Sequence, residues 1–258
     1  TWERRMGIWP AGFDKDDMMW CNTSFGDYPH YLPYNGTKEH GSFTGWYLLN
    51  YKKPVTVSST LGNYSPNHVN DESIKTYWSA ATANKGEWLQ SDLGNISTVN
   101  AVQINYADQD AAFIGKQTGI YHQYRLYHST DGKKWNLLID KSNNKTDVPH
   151  DYVELKNPVQ ARYIKLENIH MPTGKFAISG LRVFGNGNGA KPAPVKTLFV
   201  GRTEKDKRSA YIKWNPVDNA FAYNLYFGTS PGKLYNSIMI HDVNEYWFNA
   251  MDNKKTYY

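Results

Sequence analysis

Apolar positions along this chain alternate with polar ones and do not recur at helical spacing. Between Val99 and Tyr106, the side chains of Val102, Ile104 and Tyr106 fall on one face. Tyr124–His128, Ala161–Leu166 and Leu181–Phe184 repeat the pattern. Alternation with period two lines one face of a β-strand. No window of about 11–18 residues carries a sustained i, i+3, i+4, i+7 apolar stripe, so long amphipathic helices are not expected. Leu93-Gly94-Asn95 and Asp131-Gly132 punctuate the alternating runs as turns. Many short strands with turn signals roughly every 8–12 residues predict an all-β chain built from sandwiches or barrels.

Two breaks divide the pattern. Lys52-Lys53-Pro54 precedes the β-rich middle, and proline disfavours helix before it. Gly185-Asn186-Gly187-Asn188-Gly189 runs into Ala190-Lys191-Pro192-Ala193-Pro194, glycine-flexible and then proline-stiffened. The expected organisation is a segment 1–53, a domain 54–185, a linker 186–194 and a segment 195–258. No internal repeat is visible.

Composition narrows the classes. At about 150 residues per domain, 258 residues give roughly two domains. A chain that is 40% hydrophobic and 15% aromatic is not disordered. Its longest apolar runs are a few residues, far from the ~20 needed to span a bilayer as a helix. The single cysteine, Cys21, excludes an internal disulfide framework and a multi-cysteine zinc site. Of the net charge of +5, residues 186–258 supply most, with 10 basic and 6 acidic side chains. Those lysines are dispersed, whereas a nucleic-acid footprint needs a basic stripe. No apolar core follows Trp2-Glu3-Arg4-Arg5, so no signal peptide is read there. Thr1 is not an initiator, and Lys254–Tyr258 is strand-like without a closing turn. The chain is therefore expected to be an internal piece of a longer protein.

Four motifs occur in order in the middle: Gly86-Glu87-Trp88-Leu89-Gln90-Ser91-Asp92-Leu93-Gly94, Ser129-Thr130-Asp131-Gly132-Lys133-Lys134-Trp135, Ala161-Arg162-Tyr163-Ile164-Lys165-Leu166 and Ile178-Ser179-Gly180-Leu181-Arg182-Val183-Phe184-Gly185. Together they resemble the coagulation-factor type C (discoidin) domain, as used in carbohydrate-binding module family 32. The resemblance implies a jelly-roll β-sandwich with ligands held by loops at one end. It makes Trp78, Trp88 and Trp135 expected core residues. It also implies a structural Ca²⁺ in the turn Asn67–Trp78, with Asp71 as carboxylate and Thr76 as hydroxyl ligand. Calcium wants about six to eight hard oxygens. The family's last ligand is a Glu before the final strand, where this chain has Gly180. A plain turn capped by Asp71 and Thr76 is the alternative reading.

Sugars bind through C–H faces stacked on aromatic rings and hydroxyls met by planar polar groups. Three loops have that composition. Asp108–Tyr124 offers Phe113, Tyr121, His122 and Tyr124, and it is long for a sandwich connection. Ile169–Phe176 offers His170, Lys175 and Phe176, and Asp147–Tyr152 offers His150 and Tyr152. Tyr124 and Tyr152 abut strands, which leaves a core role open for both.

The flanks carry weaker resemblances. Trp9-Pro10-Ala11-Gly12-Phe13-Asp14 through His30 is similar to the closing strands of a five-bladed propeller of glycoside hydrolase family 43 (β-xylosidases and α-arabinofuranosidases). In that family the catalytic carboxylates come from earlier blades, so none is expected here. Asp14, Asp16 and Asp17 read as a solvated turn, and His30 as a propeller-axis candidate. Ser209–Val217 and Ala222–Gly228 resemble strands B and C of a fibronectin type III domain, with Thr256-Tyr257-Tyr258 opening strand F. Five Asn-x-Ser/Thr sites, at Asn22, Asn35, Asn63, Asn95 and Asn144, carry no meaning in the bacterial protein that the resemblance implies.

The leading expectation is a non-catalytic carbohydrate-binding accessory region of a secreted, periplasmic or cell-surface bacterial glycoside hydrolase. Its partners would be a xylan- or arabinan-type polysaccharide and the catalytic domain upstream. One alternative is a structural domain that buttresses the propeller. The other is lipid or cell-surface adhesion, for which Phe113-Ile114 with Lys116 is the only apolar spike flanked by a cation.

Overall fold

The computed structural model describes residues 9, 11–21, 23, 25, 27–31, 42–112 and 119–258. The described chain is all-β apart from one 3-10 turn at Pro66–Val69. Four short strands come first: β1 (Ala11–Phe13), β2 (Met19–Cys21), β3 (His30–Tyr31) and β4 (Ser42–Phe43). The middle holds β5 (Tyr47–Leu48), β6 (Val55–Val57), β7 (Trp78–Ser79), β8 (Trp88–Tyr106), β9 (Gln123–Ser129), β10 (Asn136–Asp140), β11 (His150–His170) and β12 (Ala177–Gly187). The last part holds β13 (Leu198–Arg202), β14 (Ala210–Trp214), β15 (Ala222–Phe227), β16 (Asn236–His241) and β17 (Glu245–Phe248).

Two compact units result. The first runs from Gly45 to Asn188 and contains β5 to β12; the second joins the described residues up to Thr44 with Gly189–Tyr258. The first unit therefore begins before the Lys52-Lys53-Pro54 break. The reason is local. Leu48 and Tyr47 pair with Phe184 and Gly185, and Leu49 N–H donates to Val183 O at 2.8 Å. The buried Asn50 amide donates to Leu181 O at 2.7 Å and accepts from Val183 N–H at 3.0 Å. These bonds make residues 47–50 an edge of β12.

In the sandwich unit the strand path is β10-β9-β11-β8-β12-β5, with β6 on β8 and β7 on β12. The long strands β8 and β11 serve both layers. Residues 88–92 of β8 pair with 167–163 of β11, and residues 97–105 pair with 161–150, with one register shift between the two blocks and another within the second. Gly94, at φ +85°, takes the corner between the halves of β8 in the left-handed region that suits glycine. β9 joins the second half of β11, while β12 joins the second half of β8. Between the layers lies one core that includes Trp78, Leu89, Ile104, Leu126, Ile164, Leu166, Phe176 and Leu181.

The expected faces of β8 and β9 are present: Val102, Ile104, Tyr106, Tyr124 and Leu126 are buried. Two expected core tryptophans are not in it. Trp88 and Trp135 are half-exposed, outside that core, with the Lys165 ammonium 4.6 Å and 5.8 Å from their ring centroids. Strand parity explains the position of Trp88, while Trp135 precedes β10 and lies outside any strand. Leu89 points inward, so Trp88 must point out.

The second unit has a three-stranded sheet β13-β14-β17 and pairs β15-β16, β1-β2 and β3-β4. Its small core holds Ile212, Trp214 and Ile240. Tyr258 and Gly228 exchange two backbone hydrogen bonds, of 2.9 and 3.1 Å. The Asp14 turn is not merely solvated. Its Oδ1 accepts from Asp16 and Met18 N–H, and its Oδ2 lies 2.8 Å from both Lys233 Nζ and Tyr235 Oη. His30 Nδ1 bonds Tyr28 O at 2.7 Å, and its ring leans on Phe43.

Candidate functional site

The loops that leave β8, β11 and the Ser65–Trp78 stretch meet at one end of the sandwich. Lys175 N–H donates to Gln109 O at 2.9 Å, and Ala112 N–H donates to Thr173 Oγ1 at 3.2 Å. Gly174 permits this close approach. It sits at φ +74°, and a Cβ there would lie 2.3 Å from Gln109 O. Gly174→Ala is expected to cost about 1–3 kcal/mol from backbone strain alone and to pull the two loops apart. A lower midpoint of chemical unfolding checks this; an unchanged midpoint contradicts it.

Along this rim, two aromatic pairs are displayed. Tyr121 packs on His170, ring centroids 4.9 Å apart. Tyr64 stacks on Tyr77 at 4.7 Å, and Tyr77 Oη donates to Gln109 Oε1 at 2.6 Å. Gln109 Nε2 in turn donates to Asp110 Oδ1 at 2.7 Å. Burial, with the hydrogen bond to Tyr64, pushes the Tyr77 phenol up to about 12, so it stays a neutral donor. The segment from His170 to Lys175 links the pairs, because one end touches Tyr121 and the other Gln109. Half-exposed rings beside amide and carboxylate groups can stack on sugar C–H faces and meet hydroxyls.

Beneath the rim lies a buried polar layer. His122 is 6% exposed and stacks on Tyr106 at 3.8 Å. Burial, helped by nearby His170, pulls its imidazole down to about 4. Tyr124 is fully buried and its hydroxyl donates to Asp151 Oδ2 at 2.8 Å. Burial first, then the Asp151 charge, pushes both the Tyr124 and Tyr106 phenols up. The buried Glu87 carboxylate accepts from Ser58, Ser59 and Thr82 hydroxyls. Burial alone would raise it, but those three bonds prevail and hold it below the usual carboxylate range.

The expected sugar contacts therefore separate. Tyr121 and His170 pack on each other on the rim, and Lys175 lies on the segment that follows His170, held by its backbone N–H to Gln109 O. His150 is exposed at the start of β11, with Nδ1 3.0 Å from Asn105 Oδ1. Tyr152 is 43% exposed and pairs in register with Gln103 within the strand. His122, Tyr124 and Phe176 are corrected to interior residues. Phe176 is 0% exposed and meets Trp78 edge-on at 5.5 Å. Tyr124 follows the inward parity of β9, and Phe176 directly precedes β12 in the core. Phe113 lies outside the described residues, as do Ile114 and Lys116. Sequence reasoning missed Tyr64, Tyr77, Gln109 and Thr173. Tyr77 was hidden in the stretch read as a metal turn.

Residues 54–180 match the family model described as the F5/8 type C domain. This stretch is an F5/8 type C domain. Among solved structures, the chain is similar to chitosan-binding module 1 of a chitosanase/glucanase from Paenibacillus sp. IK-5: 21% identity, 54% of this chain, 99% of that one, TM-score 0.46. It is also similar to the family 32 carbohydrate-binding module of NanJ from C. perfringens, solved with galactose: 17%, 54% and 98%, TM-score 0.44. A third is CpGH89CBM32-4 of Clostridium perfringens, in complex with GlcNAc-alpha-1,4-galactose: 10%, 56% and 97%, TM-score 0.43.

The donors expected to hold calcium in this F5/8 type C domain do not fit the ion. Asp71 Oδ1 accepts from Ser73 N–H at 2.8 Å, and Oδ2 accepts from Thr76 Oγ1 at 2.7 Å. The carbonyls of Asn70, Ser73 and Tyr77 accept from Lys52, Thr76 and His68. Asn70 Oδ1 is buried without a hydrogen bond, yet one neutral oxygen is far short of about six to eight. No cluster of three His, Cys, Asp or Glu side chains suited to a metal occurs among the described residues.

Proposed function

We propose that the F5/8 type C domain binds a carbohydrate on the rim carried by Tyr121, His170 and Lys175. The observation that supports this is the convergence of the Tyr121–His170 pair with the Gln109–Lys175 contact at one loop end of the domain. The ligand class is a plant polysaccharide of xylan or arabinan type. The binder serves as an accessory region of a secreted glycoside hydrolase similar to family 43, whose catalytic domain lies upstream. The last segment acts as a fibronectin type III-like spacer.

Affinity electrophoresis of the whole chain through gels containing xylan, arabinan or galactan tests this. Retardation is expected, and Tyr121→Ala and His170→Ala should each weaken it about tenfold. Neither change touches the core, so unfolding midpoints should stay close to wild type. One observation favours a second reading, a purely structural sandwich: His122, Tyr124 and Phe176 all sink into the interior. Absence of retardation by every polysaccharide decides for that reading, as does retardation that both variants retain.

A further inference from the structure

We infer that the turn Asp71–Thr76 is closed by a protein cation, the Arg182 guanidinium, and takes no metal ion. Arg182 lies on β12, two residues beyond Gly180 and so on the same side of the strand. At Gly180 a Cβ would sit 2.8 Å from Asn105 Nδ2, so a longer side chain there requires Asn105 to give way. The Arg182 side chain is only 6% exposed. Its Nε and Nη2 meet Glu72 Oε1 and Oε2 at 3.1 and 2.9 Å, a two-point pairing of guanidinium and carboxylate. Nη1 donates to Gln103 Oε1 at 3.1 Å, and the guanidinium packs 4.9 Å from the Phe184 ring centroid.

Glu72 holds φ at +59°, a left-handed conformation that non-glycine residues seldom adopt. Such a conformation persists where the surroundings fix it. Here the fixed end is the carboxylate on Arg182. The turn is thus built to deliver Glu72 to β12, while Asp71 and Thr76 satisfy each other. A divalent cation would have to break the Asp71–Thr76 bond and settle beside an immobile positive charge. Both changes oppose it, since a buried unpaired charge is strongly unfavourable.

Thermal unfolding of the full chain in millimolar calcium and in EDTA tests the inference. The two midpoints are expected to agree within about 1 °C, because an ion that does not bind the folded state cannot shift its stability. Glu72→Gln and Arg182→Gln should each lower the midpoint by about 6 °C or more, with no recovery in calcium. A calcium-dependent rise above about 3 °C in the wild type overturns the inference. So does a wild-type midpoint in both variants, or recovery of either by calcium. If Arg182→Gln fails to fold, Glu72→Gln and the wild-type comparison still decide.

Discussion

Trp78→Ala is expected to lower the stability of the sandwich by about 3–5 kcal/mol, the usual cost of truncating a fully buried large aromatic. Trp78 is 0% exposed and meets Phe176 edge-on. Its indole N–H donates to Ser59 O at 3.2 Å. That bond extends the damage beyond the cavity. The Ser59 hydroxyl donates to Glu87 Oε2 at 2.8 Å and accepts from Ala81 N–H at 3.0 Å, so Ser59 ties the Trp78 ring to the buried carboxylate below the loops. Trp88→Ala removes the same side chain from the outer face. There the main loss is the Lys165 ammonium contact, about 0.5–1 kcal/mol at an exposed site. Urea unfolding should therefore show a large drop in midpoint for Trp78→Ala and a small one for Trp88→Ala, with similar slopes. Equal losses would return Trp88 to the core.

These two tryptophans show what alternation does and does not encode. The run Trp88 to Leu93 reads as a strand, and that is correct. Which parity faces inward depends on what covers each face, and a strong motif with a tryptophan at its start invites the wrong choice. Leu89, Ser91 and Leu93 take the interior instead. The start of the sandwich was hidden for a similar reason. Leu48 and Asn50 are bound to β12 by contacts over a hundred residues away in sequence, whereas the visible punctuation was the local Pro54. The rim was partly legible. Tyr121, His170 and Lys175 sit in loops whose length and composition mark them. Gln109 and Tyr77 gain their roles only through Gly174, whose positive φ lets one loop close on another. The Asp71 turn was legible as a turn, but its closing cation lies 111 residues on from Asp71, at Arg182 (182 − 71).

Acidification from pH 7 to about 4 is expected to weaken the domain by about 3 kcal/mol through His122 alone. Its ordinary value of 6.5 is pulled to about 4 by burial, with His170 adding a smaller push in the same direction. Below 6.5 the unfolded chain takes up a proton that the folded imidazole refuses, so the unfolded state gains free energy as pH falls. Stability is whole above 6.5 and is lost progressively down to about 4. Below that both states bind the proton and the loss levels off. Asp131 titrates outside this window. Backbone N–H groups of Lys134 and Lys133, with the Ser129 hydroxyl, hold it at about 2, so its contribution persists until pH falls below its unfolded value near 4. The interval from 6.5 to 5 thus reports His122 with little carboxylate interference. His122→Phe keeps a ring on Tyr106 and has no proton to gain, so its stability should stay flat across that interval while the wild type declines. His122→Asn should also be flat, at lower overall stability, because the stack on Tyr106 is gone. A wild-type profile already flat from 6.5 to 5 would mean that the imidazole is protonated in place, and that the layer beneath the rim admits water.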